Sequence, residues 1–132
     1  MRHLALSIVF AAMALSLTGC LMGMDVNVAG TSGHPTFKIK SGQFLDHTKM
    51  CPQFVWVQAL HTQDRMWSMS SSKCIPLTEI VYGSAPEGFK TLAPARALED
   101  NQVYTIFLDG DGYVGSLEFA FRNGAYVVVE HK

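Results

Sequence analysis

The chain has 132 residues, with 10 Lys or Arg and 11 Asp or Glu, which gives a formal net charge of −1. This near-neutral balance, with no basic cluster, disfavours nucleic acid as a partner. Hydrophobic residues make up 48% of the sequence, which is ordinary for a globular protein, and the length allows one small domain. A domain this small buries only about two-thirds of its unfolded surface, so a covalent cross-link would help to stabilise it.

The N-terminal segment predicts an export signal. Arg2 precedes a nearly uncharged run at residues 4–17, LALSIVFAAMALSL. A helix needs about twenty apolar residues to span a bilayer, so this run is too short and has the length of a signal-peptide core. We therefore expect residues 1–19 to form a signal helix that is cleaved.

Residues 17–20, Leu-Thr-Gly-Cys, resemble the lipobox of bacterial lipoproteins. The resemblance implies cleavage before Cys20, acylation of its sulfur and amine with palmitate or similar chains, and anchoring in a membrane of the cell envelope. Several chains anchor firmly, because each buried methylene contributes about 0.8 kcal/mol. Leu21 stands where many lipoproteins retained in the inner membrane have aspartate, so the resemblance favours the outer membrane. The alternatives are an ordinary cleaved signal peptide and a buried apolar helix that contains a cysteine by chance.

Residues 20–35 contain several glycines and small polar residues. Their composition, and their position after the anchor, predict the lipidated cysteine followed by a tether. Apolar and polar residues alternate over 24–28, which allows a short first strand within this segment. The folded domain is expected to cover residues 36–132.

The rest of the chain predicts strands separated by turns. Lysines and apolar residues alternate over 36–40, and further strands are predicted from apolar, β-branched and aromatic content at 53–60, 65–70, 78–83, 102–109, 113–121 and 125–130. Residues 53–60 are apolar on both faces, which predicts a central strand. Asn123-Gly124 predicts a tight hairpin turn. The expected fold is all-β, an antiparallel β-sandwich of about seven strands after the signal helix.

The central block resembles small uncharacterised lipoproteins of proteobacteria. In those, two Trp-bearing strands precede a Tyr-Gly turn, a Pro-x-Gly-Phe segment and a Tyr-bearing strand. The matching residues here are Trp56, Trp67, Tyr82, Gly83, Pro86, Gly88, Phe89 and Tyr104. The layout of the strands is also similar to that of fibronectin type III and transthyretin-like sandwiches. These resemblances imply a fold and no particular activity.

Cys51 and Cys74 are the cysteines that remain once Cys20 is lipidated. Two cysteines in an exported chain usually pair, so we predict a disulfide between them. The alternative is a metal site that adds His47 and His61 to the two thiolates, because zinc binds both groups. No compact Cys-x-x-Cys motif supports that site, so we predict no metal and no other cofactor.

The segment 109–112, Asp-Gly-Asp-Gly, admits two interpretations. Two aspartates at this spacing could begin a calcium loop, but Tyr113 and Ala120 stand where the fifth and twelfth positions need oxygen ligands. Asp-Gly pairs are also typical of hairpin turns, because glycine adopts positive φ without strain. We favour the turn.

No catalytic motif stands out in the sequence. The serines at 68–72 lack a Gly-x-Ser-x-Gly elbow, and no phosphate-binding loop of the Gly-x-x-x-x-Gly-Lys type is present. We therefore predict that the protein is not an enzyme. The alternative is an envelope enzyme or a metal-dependent binder that uses His, Cys and Asp residues.

Aromatic residues supply the candidate binding surface. Trp56 and Trp67 are expected on neighbouring strands and could share one core. Alternatively, one of the two tryptophans forms an exposed platform with Tyr82 or Tyr113, because exposed aromatics with a polar rim mark binding surfaces. We select Trp67 as the candidate, since methionines and serines alternate around it on its strand. The predicted function is a membrane-anchored binding or structural module that docks onto an envelope protein or a cell-wall component.

Overall fold

The computed structural model describes residues 22–41 and 51–129. These two ranges form nine strands and contain no helix, so nothing in them could cross a bilayer in helical form. The strands are β1 (Met22–Thr31), β2 (His34–Ser41), β3 (Pro52–Ala59), β4 (Arg65–Ser70), β5 (Glu79–Val81), β6 (Lys90–Ala93), β7 (Val103–Gly110), β8 (Tyr113–Arg122) and β9 (Ala125–Val127). The predicted signal peptide, Cys20 and His47 lie outside the described residues.

The strands form one sheet in the order β5-β2-β1-β9-β8-β7-β3-β4-β6, which curls into a half-barrel. The pairs are antiparallel except for a short parallel contact between β1 and β8. Phe37 of β2 and Phe119 of β8 meet edge to face with their ring centroids 5.1 Å apart, although three positions separate these strands in the sheet. The halves of the curled sheet therefore face each other as the layers of a sandwich do. The predicted all-β antiparallel class is confirmed, with one continuous sheet rather than two.

Alternation along each strand separates an inner face from an outer face. On β3, Val55 and Val57 are fully buried on the inner face, whereas Trp56 between them is only partly buried. On β7, Ile106 and Leu108 point inward in the same way. The inner face holds the hydrophobic core, and the side chains between these core residues lie on the outer face.

β1 corrects the predicted tether, because residues 22–31 belong to the sheet. Met24 and Val26 are buried in the core, and Asp25 and Asn27 beside them are exposed. These residues form a strand because apolar and polar side chains alternate, although the segment contains glycines. Gly30, with a φ of 85°, lies next to the β1–β2 turn, where glycine is tolerated. The folded domain thus includes residues that the sequence analysis assigned to a tether.

The beginning of β1 lies directly beside β8. Met22 pairs with Tyr113, and Gly23 pairs with Val114. The two backbones approach so closely here that a Cβ on Gly115 would lie 2.8 Å from the carbonyl oxygen of Met24. A side chain at position 115 would therefore force the first strand away from β8.

The two predicted hairpin turns are confirmed. Asn123 and Gly124 join β8 to β9 with φ values of 52° and 79°, the positive pair that a type I′ turn requires. Asp111 and Gly112 join β7 to β8, with a φ of 78° at Gly112. The Asp-Gly-Asp-Gly segment is therefore the end of a strand and a turn.

The predicted disulfide between Cys51 and Cys74 is confirmed. It links the start of β3 to the segment that follows β4, and the two cysteines are 23 positions apart. Both sulfurs are therefore engaged with each other and do not provide the thiolate ligands of the alternative metal site.

We expect loss of this disulfide to destabilise the domain. In the chain-entropy model, a cross-link that closes a loop of this length contributes roughly 3 kcal/mol by restricting the unfolded chain. The Cys51→Ser/Cys74→Ser double variant should unfold at lower urea concentration than the oxidised wild-type protein. Reductant should lower the wild-type midpoint and leave that of the double variant unchanged. An identical midpoint for oxidised and reduced wild-type protein would contradict this prediction.

Candidate functional site

Trp67 lies in the core and not on a surface. Its exposed fraction is 0%, and it packs edge to face against Tyr82 with ring centroids 5.4 Å apart. The Trp67 indole N–H has no hydrogen-bond partner, although a buried unpaired donor costs about 1–3 kcal/mol. Full burial corrects the prediction that Trp67 contributes to an exposed platform, because no partner can reach its ring.

Tyr82 connects segments from both ends of the sheet. It follows β5, the first strand in the sheet order, and its backbone N–H donates to the carbonyl of Pro35 on β2. Its hydroxyl lies 2.6 Å from the carbonyl oxygen of Arg96 and 3.2 Å from that of Met66 on β4, near the opposite edge. Burial raises the pKa of Tyr82 to about 12, and the hydrogen bond to Arg96 partly opposes this effect. These contacts give Tyr82 a structural role.

Tyr113 is partly buried and packs against the core at the start of β8, beside Met22. The structure therefore brings Trp67 and Tyr82 into contact with each other inside the fold, and it places Tyr113 where β1 and β8 begin. These three residues do not present their rings as one exposed platform, because Trp67 is enclosed.

The outer face carries a different aromatic group, which the sequence analysis did not select. Trp56 of β3 and Phe107 of β7 are directly opposite each other, and their rings stack with centroids 4.9 Å apart and planes 18° apart. Phe54 extends the row, with its ring centroid 4.8 Å from that of Trp56. All three side chains are partly buried. Each ring therefore supports the next.

Arg65 completes this group. The Cζ atom of its guanidinium lies 5.4 Å from the ring centroid of Trp56 and 5.8 Å from that of Phe54. At these distances a cation–π interaction contributes about 0.5–1 kcal/mol at an exposed site. We call Phe54, Trp56, Phe107 and Arg65 the aromatic surface.

Small side chains border the aromatic surface on neighbouring strands. Cross-strand partners point to the same side of a sheet, and the partners on β4 and β8 are serines. Ser68 is opposite Trp56, Ser70 is opposite Phe54, and Ser116 is opposite Phe107. Ser68 is only 2% exposed, so the neighbouring groups cover it, and the three short serine side chains leave the aromatic rings as the large groups of this row.

A groove of about 390 Å³ adjoins the stacked pair. Its lining includes Met24, Trp56, Phe107, Asp109, Val114 and Ser116. Val114 is 39% exposed and lies opposite Asp109. The groove thus combines aromatic and aliphatic walls with one carboxylate, which suits a ligand that has apolar and polar parts.

One sequence signal could have identified this surface. Residues 53–60 are apolar on both faces, and residues 102–109 carry Phe107 on the face opposite Ile106 and Leu108. In a fold with one core, only one face of each strand can be enclosed. When two adjacent strands are apolar on both faces, the face that is not in the core therefore forms an apolar patch on the surface. The strand predicted at 53–60 is β3 (Pro52–Ala59), which lies inside the sheet between β7 and β4.

The polar candidates are dispersed. His61 is exposed in the loop between β3 and β4. Within residues 22–41 and 51–129, no group of three or more His, Cys, Asp or Glu side chains is arranged to hold a metal ion. The aromatic surface and its groove are therefore the best-defined candidate site among the described residues.

Comparisons with known proteins give no relative from which a role could be transferred. No family model, no curated protein and no solved structure matches the chain.

We expect Tyr82 to make the stability of the domain depend on alkaline pH. Its folded-state pKa of about 12 lies above the ordinary tyrosine value of 10.0, so its stabilising contribution is complete below pH 10. That contribution decreases as the pH rises from 10 to 12, because the unfolded chain releases the proton more readily. Urea unfolding between pH 9 and about 12 measures this decrease.

The Tyr82→Phe variant provides the control. It should be less stable at neutral pH by about 1 kcal/mol, the typical net value of one hydrogen bond, and its stability should decrease less between pH 10 and 12. The tyrosinate absorbance of the native wild-type protein should contain one transition near pH 12 that the variant lacks. A tyrosinate transition near pH 10 that disappears in the variant would contradict the assigned pKa.

Proposed function

We propose that this protein is a membrane-anchored lipoprotein of the bacterial envelope that acts as a non-enzymatic binding module. The aromatic surface is its binding site. The observation that carries this proposal is the row of three rings, Phe54, Trp56 and Phe107, on the face of the sheet opposite the core. Such a row is an anchoring surface, because aromatic side chains provide large contact areas with few rotatable bonds.

The geometry of the aromatic surface supports binding without rearrangement. Trp56 is held between Phe54 and Phe107, and Arg65 lies over two of the rings. A surface that is already ordered loses little conformational entropy when it binds a partner. The site is on β3, β4 and β7, three paired strands, and not on a loop.

The Leu-Thr-Gly-Cys segment supports the anchor, with Cys20 as the lipidated residue. The Cys51–Cys74 disulfide agrees with an exported location, because disulfides persist in oxidising compartments. Leu21 after the anchor supports the outer membrane. From the order of aromatic, glycine and proline residues in the central block, we also propose that the chain is of the small proteobacterial lipoprotein type. Anchoring confines the domain to one surface and raises its effective concentration for partners there, whether envelope proteins or cell-wall components.

The disulfide removes the two thiolates that an enzyme or a metal-dependent binder would use in the alternative function. Cys51 and Cys74 are bonded to each other, so a site built from His, Cys and Asp residues would have to do without them. Of the histidines weighed for that site, His61 is exposed in a loop, and His47 lies outside the described residues. The aromatic surface therefore favours the binding module.

Metabolic labelling with palmitate tests the anchor. The wild-type protein should be labelled and recovered in the membrane fraction, because Cys20 carries the acyl chains. The Cys20→Ala variant should be unlabelled and should not be recovered with the membranes. The Cys51→Ser/Cys74→Ser double variant, which keeps Cys20, should be labelled like the wild type. Equal labelling of wild-type protein and the Cys20→Ala variant would overturn the lipoprotein assignment.

Thiol titration of the denatured, unreduced protein tests the same assignment and the metal-binder alternative together. Wild-type protein from membranes should contain no free thiol, because Cys20 is a thioether and the other two cysteines are paired. The Cys74→Ser variant should contain one, at Cys51. Two free thiols per wild-type chain, together with bound zinc, would support the alternative.

A further inference from the structure

The aromatic surface begins where the chain enters the sheet from its N-terminal side. Gly23 on β1 pairs with Val114 on β8, Val114 pairs with Asp109 on β7, and Asp109 pairs with Phe54 on β3. These four residues therefore form one row across four strands. Neighbouring strands are about 4.8 Å apart, so Phe54 lies roughly 15 Å from Gly23 along this row.

Only a short stretch of chain connects Cys20 to the same row. Two residues, Leu21 and Met22, separate it from Gly23. The three Cα–Cα steps between them span at most about 3.8 Å each, so the Cα of Cys20 lies within about 11 Å of Gly23. A bilayer that holds the acyl chains of Cys20 must pass within a similar distance of the first strand. The domain therefore has no long tether on which to move away from the membrane.

The chemistry of the aromatic surface fits the headgroup layer of such a membrane. Aromatic side chains are enriched at the boundary between headgroups and acyl chains, and Trp56 and Phe107 form the centre of the surface. Cations bind lipid phosphates through charge-assisted hydrogen bonds. Arg65 lies over the rings, and the exposed Lys90 is opposite Ser70 in the row that contains Phe54. The Asp109 carboxylate can pair electrostatically with the ammonium group of a zwitterionic lipid.

We propose that the aromatic surface docks onto the phospholipid headgroup layer of the membrane that anchors Cys20, so that the domain lies flat on the bilayer. This inference rests on the lipid anchor of the proposed function and names the partner of the same site.

The size of the surface favours the membrane over a protein partner. A stable protein interface buries about 800 Å² on each side, whereas this surface consists of three partly buried rings, an arginine and the neighbouring Val114. A small patch suffices on a membrane, because the acyl chains already supply the affinity and the patch only has to orient the domain.

Tryptophan fluorescence in bromolipid vesicles tests the proposal. The full-length lipidated protein is reconstituted into phosphatidylcholine vesicles, with or without bromine atoms near the top of the acyl chains. Because an interfacial side chain lies roughly 5–10 Å into the boundary region, bromolipid should lower the emission of Trp56 about twofold. The chain contains two tryptophans, so the Trp56→Phe variant isolates the emission of Trp67, which should be quenched little.

Two valines provide a matched pair of variants. Val114 is 39% exposed beside the aromatic surface, and Val81 is 44% exposed on β5, the strand at one edge of the sheet. Val114→Asp places a carboxylate at the docked face and should reduce the quenching of Trp56, whereas Val81→Asp should leave it unchanged. Both variants retain Cys20 and should remain in the membrane fraction.

The outcomes separate the proposal from the anchor on which it depends. Palmitate-labelled protein whose Trp56 emission is the same in both kinds of vesicle would overturn docking and leave the anchor intact. Equal loss of quenching in the Val114→Asp and Val81→Asp variants would also overturn it. If Trp56 is not quenched and position 56 can be photo-cross-linked to an envelope protein in cells, the partner of the aromatic surface is a protein and not the lipid layer. Absence of palmitate would contradict the proposed function itself.

Discussion

The contact between Tyr82 and Trp67 closes the curl of the sheet around its apolar face. Tyr82 follows β5 at one edge of the sheet, and Trp67 lies on β4, next to the strand at the other edge. Hydrogen bonds from Tyr82 to the backbone of both regions hold these ends together. The sheet must curl for them to meet, and the curl encloses its inner face. Everything on the outer face then remains available for contact with other molecules.

The two tryptophans illustrate this division. Trp67 is enclosed and contributes packing, whereas Trp56, one strand away, contacts two phenylalanine rings on the outer face. Apolar residues stabilise the fold only where they leave water. Aromatic side chains that are kept partly exposed on a rigid strand are therefore a reason to expect a partner. The proposed lipid anchor would bring a membrane close to them.

Local sequence patterns predicted much of the fold, and non-local pairing accounts for what they missed. The predicted strand 65–70 has the bounds of β4, and Asn-Gly marks the last hairpin. β6 was missed because its four residues lie between prolines and form a strand only through pairing with β4. The sequence patterns also did not predict which tryptophan lies in the core and which lies on the outer face. Their placement depends on the register that puts Trp67 opposite Val57, next to a bulge, and side-chain alternation alone does not specify that register.

The parallel contact between β1 and β8 has a consequence for how the molecule is assembled. The first described strand, β1, completes its pairing only with the last two described strands, β8 and β9. A ribosome or a translocation channel that delivers the chain from its N-terminus therefore releases a β1–β2 hairpin whose free edge must wait for the C-terminal hairpin. Long-range pairing of this kind is slow, and an open strand edge invites pairing with other chains. Truncations that remove the C-terminal hairpin should therefore favour aggregation more than deletions of similar length in surface loops.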